Sequence, residues 1–396
     1  MTSHRTSAAV SILFAFVVAV AGVSPVGGEK VKPSPTPSPD PRKVVAVSAG
    51  YDHVLALTED GSVSAWGNNA LGQLGTGDTQ KRLVPVKVEG LAGVTAVSAG
   101  NGFSLALLSD GTVWGWGAAD QGQLGASDHP KQLRPRLIDG ITSVKLIKAA
   151  GSTVAAIRND GTLWTWGAAG QGLLGTGTSE DRSTPERIQI LRNMKDVSGA
   201  GVHFAALDSS GRLWSWGSNR NIQLGKVSVE SLDKPAVTIE DRSGSFASIC
   251  AGSYTLFCRK DGTVWMIGWN SINRTGNGSD PRKVWYKGEA QQVELSAKIV
   301  QVSCFDHALA LDDKGRVWAW GENTLGQCGN GTQRPVESPE KIEGLPQVAY
   351  VGAGRRFSVA LSTEGALYAW GDNSFGQLGD ATVRERLSPV RVMGFE

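Results

Sequence analysis

Five histidines and four cysteines are among the side chains with which this chain could hold a metal or attack a substrate. Three of the histidines, His53, His203 and His307, share one position of a repeating pattern; Phe103, Thr153, Tyr254 and Phe357 fill it in the other copies. A metal site needs ligands converging on one point, and a position that also accepts phenylalanine and tyrosine is a packing position. These histidines are therefore expected to be buried and hydrogen bonded. No Ser or Cys nucleophile with a paired base, no zinc-type Cys/His spacing and no phosphate-cradling Gly-x-x-x-x-Gly-Lys loop occurs in the sequence. The reading is of no catalytic residue, no cofactor and no metal ligand.

Cys250, Cys258, Cys304 and Cys328 crowd into the fifth and sixth repeats. An even count allows three connectivities, so all four are candidate disulfide cysteines and at least one bridge is expected. Cys250 and Cys258 flank a turn at Gly252, where antiparallel strands could set them opposite. The fifth repeat also holds the least regular loop, Asn273-Arg274-Thr275-Gly276, followed by Arg282, Lys283, Trp285 and Tyr286. Aromatic and arginine side chains are enriched at binding hot spots, which makes these four a candidate partner-binding group. The competing reading makes Trp285 a core residue of a fourth strand. Sequons begin at Asn273, Asn277 and Asn330 and matter where the host glycosylates exported proteins.

The elements that must position these residues recur on one period. Trp-Gly falls at Trp66-Gly67, Trp116-Gly117, Trp166-Gly167, Trp216-Gly217, Trp320-Gly321 and Trp370-Gly371, with Ile267-Gly268 in the remaining slot. Successive glycines lie 50, 50, 50, 51, 53 and 50 residues apart. An Ala-Gly pair precedes six of them by 16 or 17 residues, and Gly72-Gln73-Leu74-Gly75 or a variant follows each. Within one copy, Val44 to Ser48 and His53 to Leu57 are β-prone runs around a Gly50 turn. Asp60-Gly61 suits a tight hairpin, Ser62 to Trp66 makes a third strand, and Pro85 to Val88 a fourth that starts on proline. Four short strands per period and no helical periodicity predict an all-β, seven-bladed propeller of four-stranded antiparallel blades.

Alternation along the third strand puts Trp114 with Trp116, and Trp214 with Trp216, on one face, while Ala65, Gly115, Thr165, Ser215, Ala319 and Ala369 occupy the other. Large against small suits stacked, twisted sheets; aromatic cages for sugars or cations are the functional alternative. The fifth copy departs twice, with Met266 and Ile267, and the expectation is that volume moves from one face to the other. The repeated string Ala-Gly-x-x-His, Asp-Gly-x-[Val/Leu]-Trp-x-Trp-Gly and Gly-Gln-Leu-Gly resembles the regulator-of-chromosome-condensation repeat, over residues 44–396. That resemblance implies a closed seven-bladed propeller. It leaves function open, since the family spans a guanine-nucleotide exchange factor for a small GTPase, photoreceptors, ligase subunits and exported proteins.

Before the repeats, His4 and Arg5 precede an apolar run from Ala8 to Ala21 that ends on Ala19-Val20-Ala21. This reads as a signal peptide over 1–21, cleaved to leave Gly22 first, with a retained anchor as the alternative. Residues 22–43 read as an extended linker, with Pro33, Pro35, Pro37, Pro39 and Pro41 at every second position. The propeller then spans 44–396. With 39 basic and 37 acidic residues and a net charge of +2, no concentrated basic face for nucleic acid is visible. The function expected is a non-enzymatic, exported, monomeric scaffold that binds a protein or a glycan, in the secreted, periplasmic or envelope space. The alternatives are an exchange factor by family analogy and a propeller hydrolase or lyase with loop-borne carboxylates. Closure is expected from pairing of the terminal segments, with Pro389 to Val392 lying against or adjoining the blade begun by Val44 to Leu57.

Overall fold

The computed structural model describes residues 40, 42–126, 129–225, 229–240, 245–268 and 289–395. In it, seven four-stranded antiparallel sheets follow one another along the chain. Blade 1 shows the plan: Val44–Ala49, His53–Thr58, Val63–Gly67 and Arg82–Lys87, paired in that order. The innermost strands of the other blades are Val94–Ala99, Val144–Ala150, Met194–Gly199, Phe246–Ala251, Ile299–Cys304 and Val348–Ala353. His53–Thr58 is buried at every position, because a second strand has a blade against each of its faces. The hairpin that follows is held by Asp60, whose carboxylate accepts from the Thr58 hydroxyl at 2.7 Å and the Ser62 amide at 3.0 Å. Turns after first strands and loops after third strands emerge on one face of the ring, here the upper. The Asp-Gly hairpins emerge on the lower.

In five blades the third-strand tryptophan ties the blade to the one before it. The Trp116 indole N–H donates to the Gln73 carbonyl of the preceding loop at 2.8 Å. Trp166 donates to Gln123, Trp216 to Leu173 and Trp370 to Gln327, at 3.0, 2.9 and 2.9 Å. The ring under each indole packs on the small-residue face of the blade before it; Trp116 shares a buried cluster with Ala65, Leu74 and Val88. A buried N–H needs a partner, and the Gly-Gln-Leu-Gly loop supplies it while its glycines let the backbone approach. At Gly75 a Cβ would lie 2.9 Å from the Trp116 ring.

The same bond closes the ring. Trp66 of blade 1 donates to the Gln377 carbonyl of blade 7 at 3.0 Å, and the Arg355 amide reaches the Gly50 carbonyl at 3.3 Å. Val392 is buried with Val44, Val47 and Trp66 in one cluster, so the terminal segment adjoins the first blade. It does so without sharing a ladder: Val390 and Arg391 pair with Ala369 and Tyr368 inside blade 7. Each blade is built from one continuous stretch of chain, which leaves the closing contact to side chains and isolated bonds.

Blade 5 corrects the expected exchange of volume between faces. Met266 does join the cluster around Trp320 of blade 6, but the space lost at Ile267 is refilled on the same face. Phe257 stands opposite Trp265, at the register position held by Ala56, Ala106, Ala156, Ala206, Ala310 and Ala360 elsewhere. Phe257 and Ile267 belong to one buried cluster with Ala205 and Leu213 of blade 4. Phe246 meets the Phe257 ring edge to face at 5.3 Å.

Candidate functional site

His53, His203 and His307 are fully buried, and each bridges two blades. Nε2 of His53 lies 2.8 Å from the Ser104 hydroxyl, which donates at 2.7 Å to the Gln73 carbonyl. Since the hydroxyl spends its one proton there, Nε2 of His53 must be the donor in the other bond. His203 meets Thr255 at 2.7 Å and His307 meets Ser358 at 2.7 Å, and both hydroxyls continue to a loop carbonyl at 2.8 Å. Burial pushes His203 down to about 3 and His307 to about 4, so both stay neutral. The sequence carried a signal for this that the single-position reading missed. Wherever one blade has histidine, the next has Ser or Thr one position along its second strand; the others have Val54, Val154, Phe204 and Ala308 there.

The four cysteines are free and buried. Cys250 pairs with Leu256 and Cys258 with Ser248 across the Gly252 turn, so the register offsets these two thiols rather than setting them opposite. Arg282, Lys283, Trp285 and Tyr286 lie outside the described residues, as do the sequons at Asn273 and Asn277, the signal segment and most of the linker. The third sequon residue, Asn330, donates to Glu340 at 2.7 Å and accepts from Thr332 at 2.9 Å. Among the described residues no group of three or more His, Cys, Asp or Glu side chains is placed to hold a metal.

Inner strands from all seven blades line a central cavity of about 50 Å³, including Ser48, Ala99, Lys148, Ser198, Cys250, Ser303 and Ala353. Such a space holds a few waters and is far below the several hundred Å³ of a small-molecule site. The hydroxyls of Ser48, Ser98, Ser198 and Ser303 each accept an amide of the next blade, from Ala99, Ala149, Ala251 and Ala353, at 3.0, 2.9, 3.2 and 2.9 Å. Half-buried Asp196 stands on the same inner strands. Burial pushes its carboxyl up to about 6, and the ammonium of Lys148 offsets part of that rise.

Tyr51 closes the upper mouth of this channel. Its ring meets Phe305 of blade 6 edge to face at 5.2 Å, and the Arg355 guanidinium of blade 7 stacks over it at 5.4 Å. Its hydroxyl reaches Gly201 of blade 4, where a Cβ would collide with it. Burial raises the Tyr51 hydroxyl above its ordinary value, and Arg355 partly opposes the rise. On the same upper face, Arg355 and Arg356 are exposed, and the loops of blades 1 and 7 present Leu71 and Phe375, 42% and 38% exposed. The result is an aromatic and apolar surface with two cations, at one end of a rigid ring.

Seven blades closed by a shared seam, with a plugged and water-sized channel, define a repeat β-propeller. The model of the Regulator of chromosome condensation (RCC1) repeat matches residues 60–107, 110–157, 160–207, 210–258, 314–361 and 364–396. The chain belongs to this family. It is similar to the human E3 ubiquitin-protein ligase HERC2, 37% identical over 116 residues that cover 28% of this chain and 2% of that protein. Among solved structures, human WBSCR16 superposes with a TM-score of 0.75 at 21% identity, covering 84% of this chain and 94% of that one. Prp20p from Saccharomyces cerevisiae gives 0.72 at 19% identity, over 89% and 88%. These two likenesses are likenesses of fold.

Proposed function

We propose that this chain is an exported, non-enzymatic scaffold that binds a protein partner on the upper face of the ring, at the channel mouth. The observation that carries this reading is the Tyr51–Phe305–Arg355 cluster, with Arg356, Leu71 and Phe375 exposed on the same face. Arginine and aromatic side chains held by a rigid frame are the composition of protein-binding hot spots, and the cavity beneath is too small to take a substrate. Prp20p, of the same fold, binds Gsp1p and histones, which supports a protein over a glycan as the ligand class. Export rests on the apolar run Ala8 to Ala21 and its Ala-Val-Ala end; N-terminal sequencing of the exported chain should begin near Gly22, and an intact Met1 would contradict it.

A photo-crosslinking amino acid placed at Phe375 or at Leu71 and expressed in the native host tests the surface. A discrete protein adduct from these positions, absent from the same probe at Asp110 on the lower face and lost with Arg356→Glu, is the expected result. Adducts from the lower face alone would overturn the assignment.

A further inference from the structure

The fifth residue of each inner strand is turned toward the next blade, as the serine bonds to Ala99, Ala149, Ala251 and Ala353 show. Around the ring it is Ser48, Ser98, Lys148, Ser198, Cys250, Ser303 and Gly352. Its neighbour in the next blade is a position turned the opposite way, because side chains alternate along a strand. That position is Ala49, Ala99, Ala149, Gly199, Ala251, Cys304 and Ala353. Every other seam therefore sets at least one residue without a reactive side chain at this height. At the seam between blades 5 and 6 both positions are cysteine.

The two are in contact. The Cys304 amide donates to Sγ of Cys250 at 2.8 Å, and the Cys250 thiol lies 3.3 Å from the Cys304 carbonyl. Both line the central cavity, and Lys148 lines it with them. Burial pushes the Cys250 thiol up, but the Cys304 thiol and amide beside it and the Lys148 ammonium outweigh that and leave it below its ordinary value. The Cys304 thiol is pushed well above, by burial first and then by Cys250. The amide donated to Sγ of Cys250 and the Lys148 ammonium on the same cavity make Cys250 the sulfur better placed to react as a thiolate. Cys258 is different: burial pushes it up to about 12. So is Cys328, whose thiol sits 3.4 Å from the Glu322 carbonyl in an upper loop and is also raised by burial.

We propose that Cys250 and Cys304 form a redox pair that closes to an inter-blade disulfide when a hydroperoxide enters the channel. The Cys250 thiolate attacks one peroxide oxygen, the O–O bond breaks, and the departing hydroxide takes up a proton to leave as water. Cys250 is then a sulfenic acid. The Cys304 sulfur attacks it, the S–S bond forms, the S–O bond breaks, and the hydroxyl leaves as water with the Cys304 proton. Two thiols are oxidised and one hydrogen peroxide is reduced to two waters. Hydrogen peroxide is close to water in size, which suits a cavity that holds a few waters.

The full chain treated with hydrogen peroxide, alkylated after unfolding and digested without reduction should yield one linked peptide pair, joining Cys250 to Cys304. A thiol reductant should reverse it, with Cys258 and Cys328 alkylated throughout. Cys250→Ser and Cys304→Ala install the residues that blades 1 and 2 carry at these positions, so both variants should keep the native circular dichroism and both should lose the link. Oxidation should raise the unfolding temperature of the wild-type chain and leave that of either variant unchanged. Four separately alkylated or over-oxidised cysteines, or a link through Cys258 or Cys328, would overturn the proposal.

Discussion

The seam between blades 7 and 1 and the seam between blades 4 and 5 meet the same demand by different means. At the first, chain ends far apart in sequence rebuild the common contact unchanged: Trp66 on Ala369 and Leu378, its indole on the Gln377 carbonyl. At the second, the chain is continuous but the tryptophan is absent. Ile267 has no side-chain N–H to give, and the Gln223 carbonyl is satisfied by the Thr255 hydroxyl at 2.8 Å. The volume comes from Phe257. At both seams the face is filled and the loop carbonyl satisfied, while the residue that supplies each has changed from one to the other.

Removing Ser388 to Glu396 should break the first seam most severely. It strips most of the fourth strand from blade 7 and takes the buried Val392 away from Val44, Val47 and Trp66, a loss expected to exceed about 5 kcal/mol. Denaturant unfolding of the truncated chain measures it; an unchanged midpoint would mean that the ends do not support each other.

Phe257→Ala attacks the second seam and should cost about 3 to 5 kcal/mol, the usual range for emptying a buried aromatic site. Adding Ile267→Trp to that variant restores the alanine-and-tryptophan pair of the other blades. It should recover a large part of the loss, although Ile267→Trp alone overfills the wild-type face and destabilises it. Two independent, additive losses would contradict a shared cavity.

The blade count, the four strands, the turns and the large-against-small faces were legible because period and alternation report them directly. Closure was legible only as far as the ends having to meet, since sequence shows an unmatched strand but not whether it is joined by a ladder or by packing. Phe257 is not marked by the third strand, where blade 5 departs from its fellows, because the compensation sits on the second, opposite in register. The histidine relays are likewise unmarked because each is a relation between two repeats. The channel mouth is unmarked for a similar reason: Tyr51, Phe305 and Arg355 occupy turns where every copy differs, and only the ring brings blades 1, 6 and 7 together.

The relays separate seams by their response to acid. His203 and His307 titrate in the folded chain at about 3 and about 4, below an unfolded value of about 6.5. The unfolded chain therefore binds more protons between those limits, and the stability these neutral rings contribute is complete above pH ~6.5 and lost as pH falls. At pH 5 the loss should be about 2 kcal/mol for each histidine. His203→Phe, which copies Phe103 and Phe357, should flatten the stability profile between pH 7 and pH 5 by about that amount; an unchanged slope would contradict a buried neutral ring.

The two ends close the ring through the same contact that joins its internal blades. Hydrogen exchange at the indole N–H of Trp66, compared with Trp116, Trp166, Trp216 and Trp370, tests it most directly. All five are fully buried and bonded to a loop carbonyl of the preceding blade. The expected result is that Trp66 exchanges as slowly as the other four under native conditions. A Trp66 proton that exchanges at the rate of a solvent-exposed indole, while the others stay protected, would show an open arc and contradict the account.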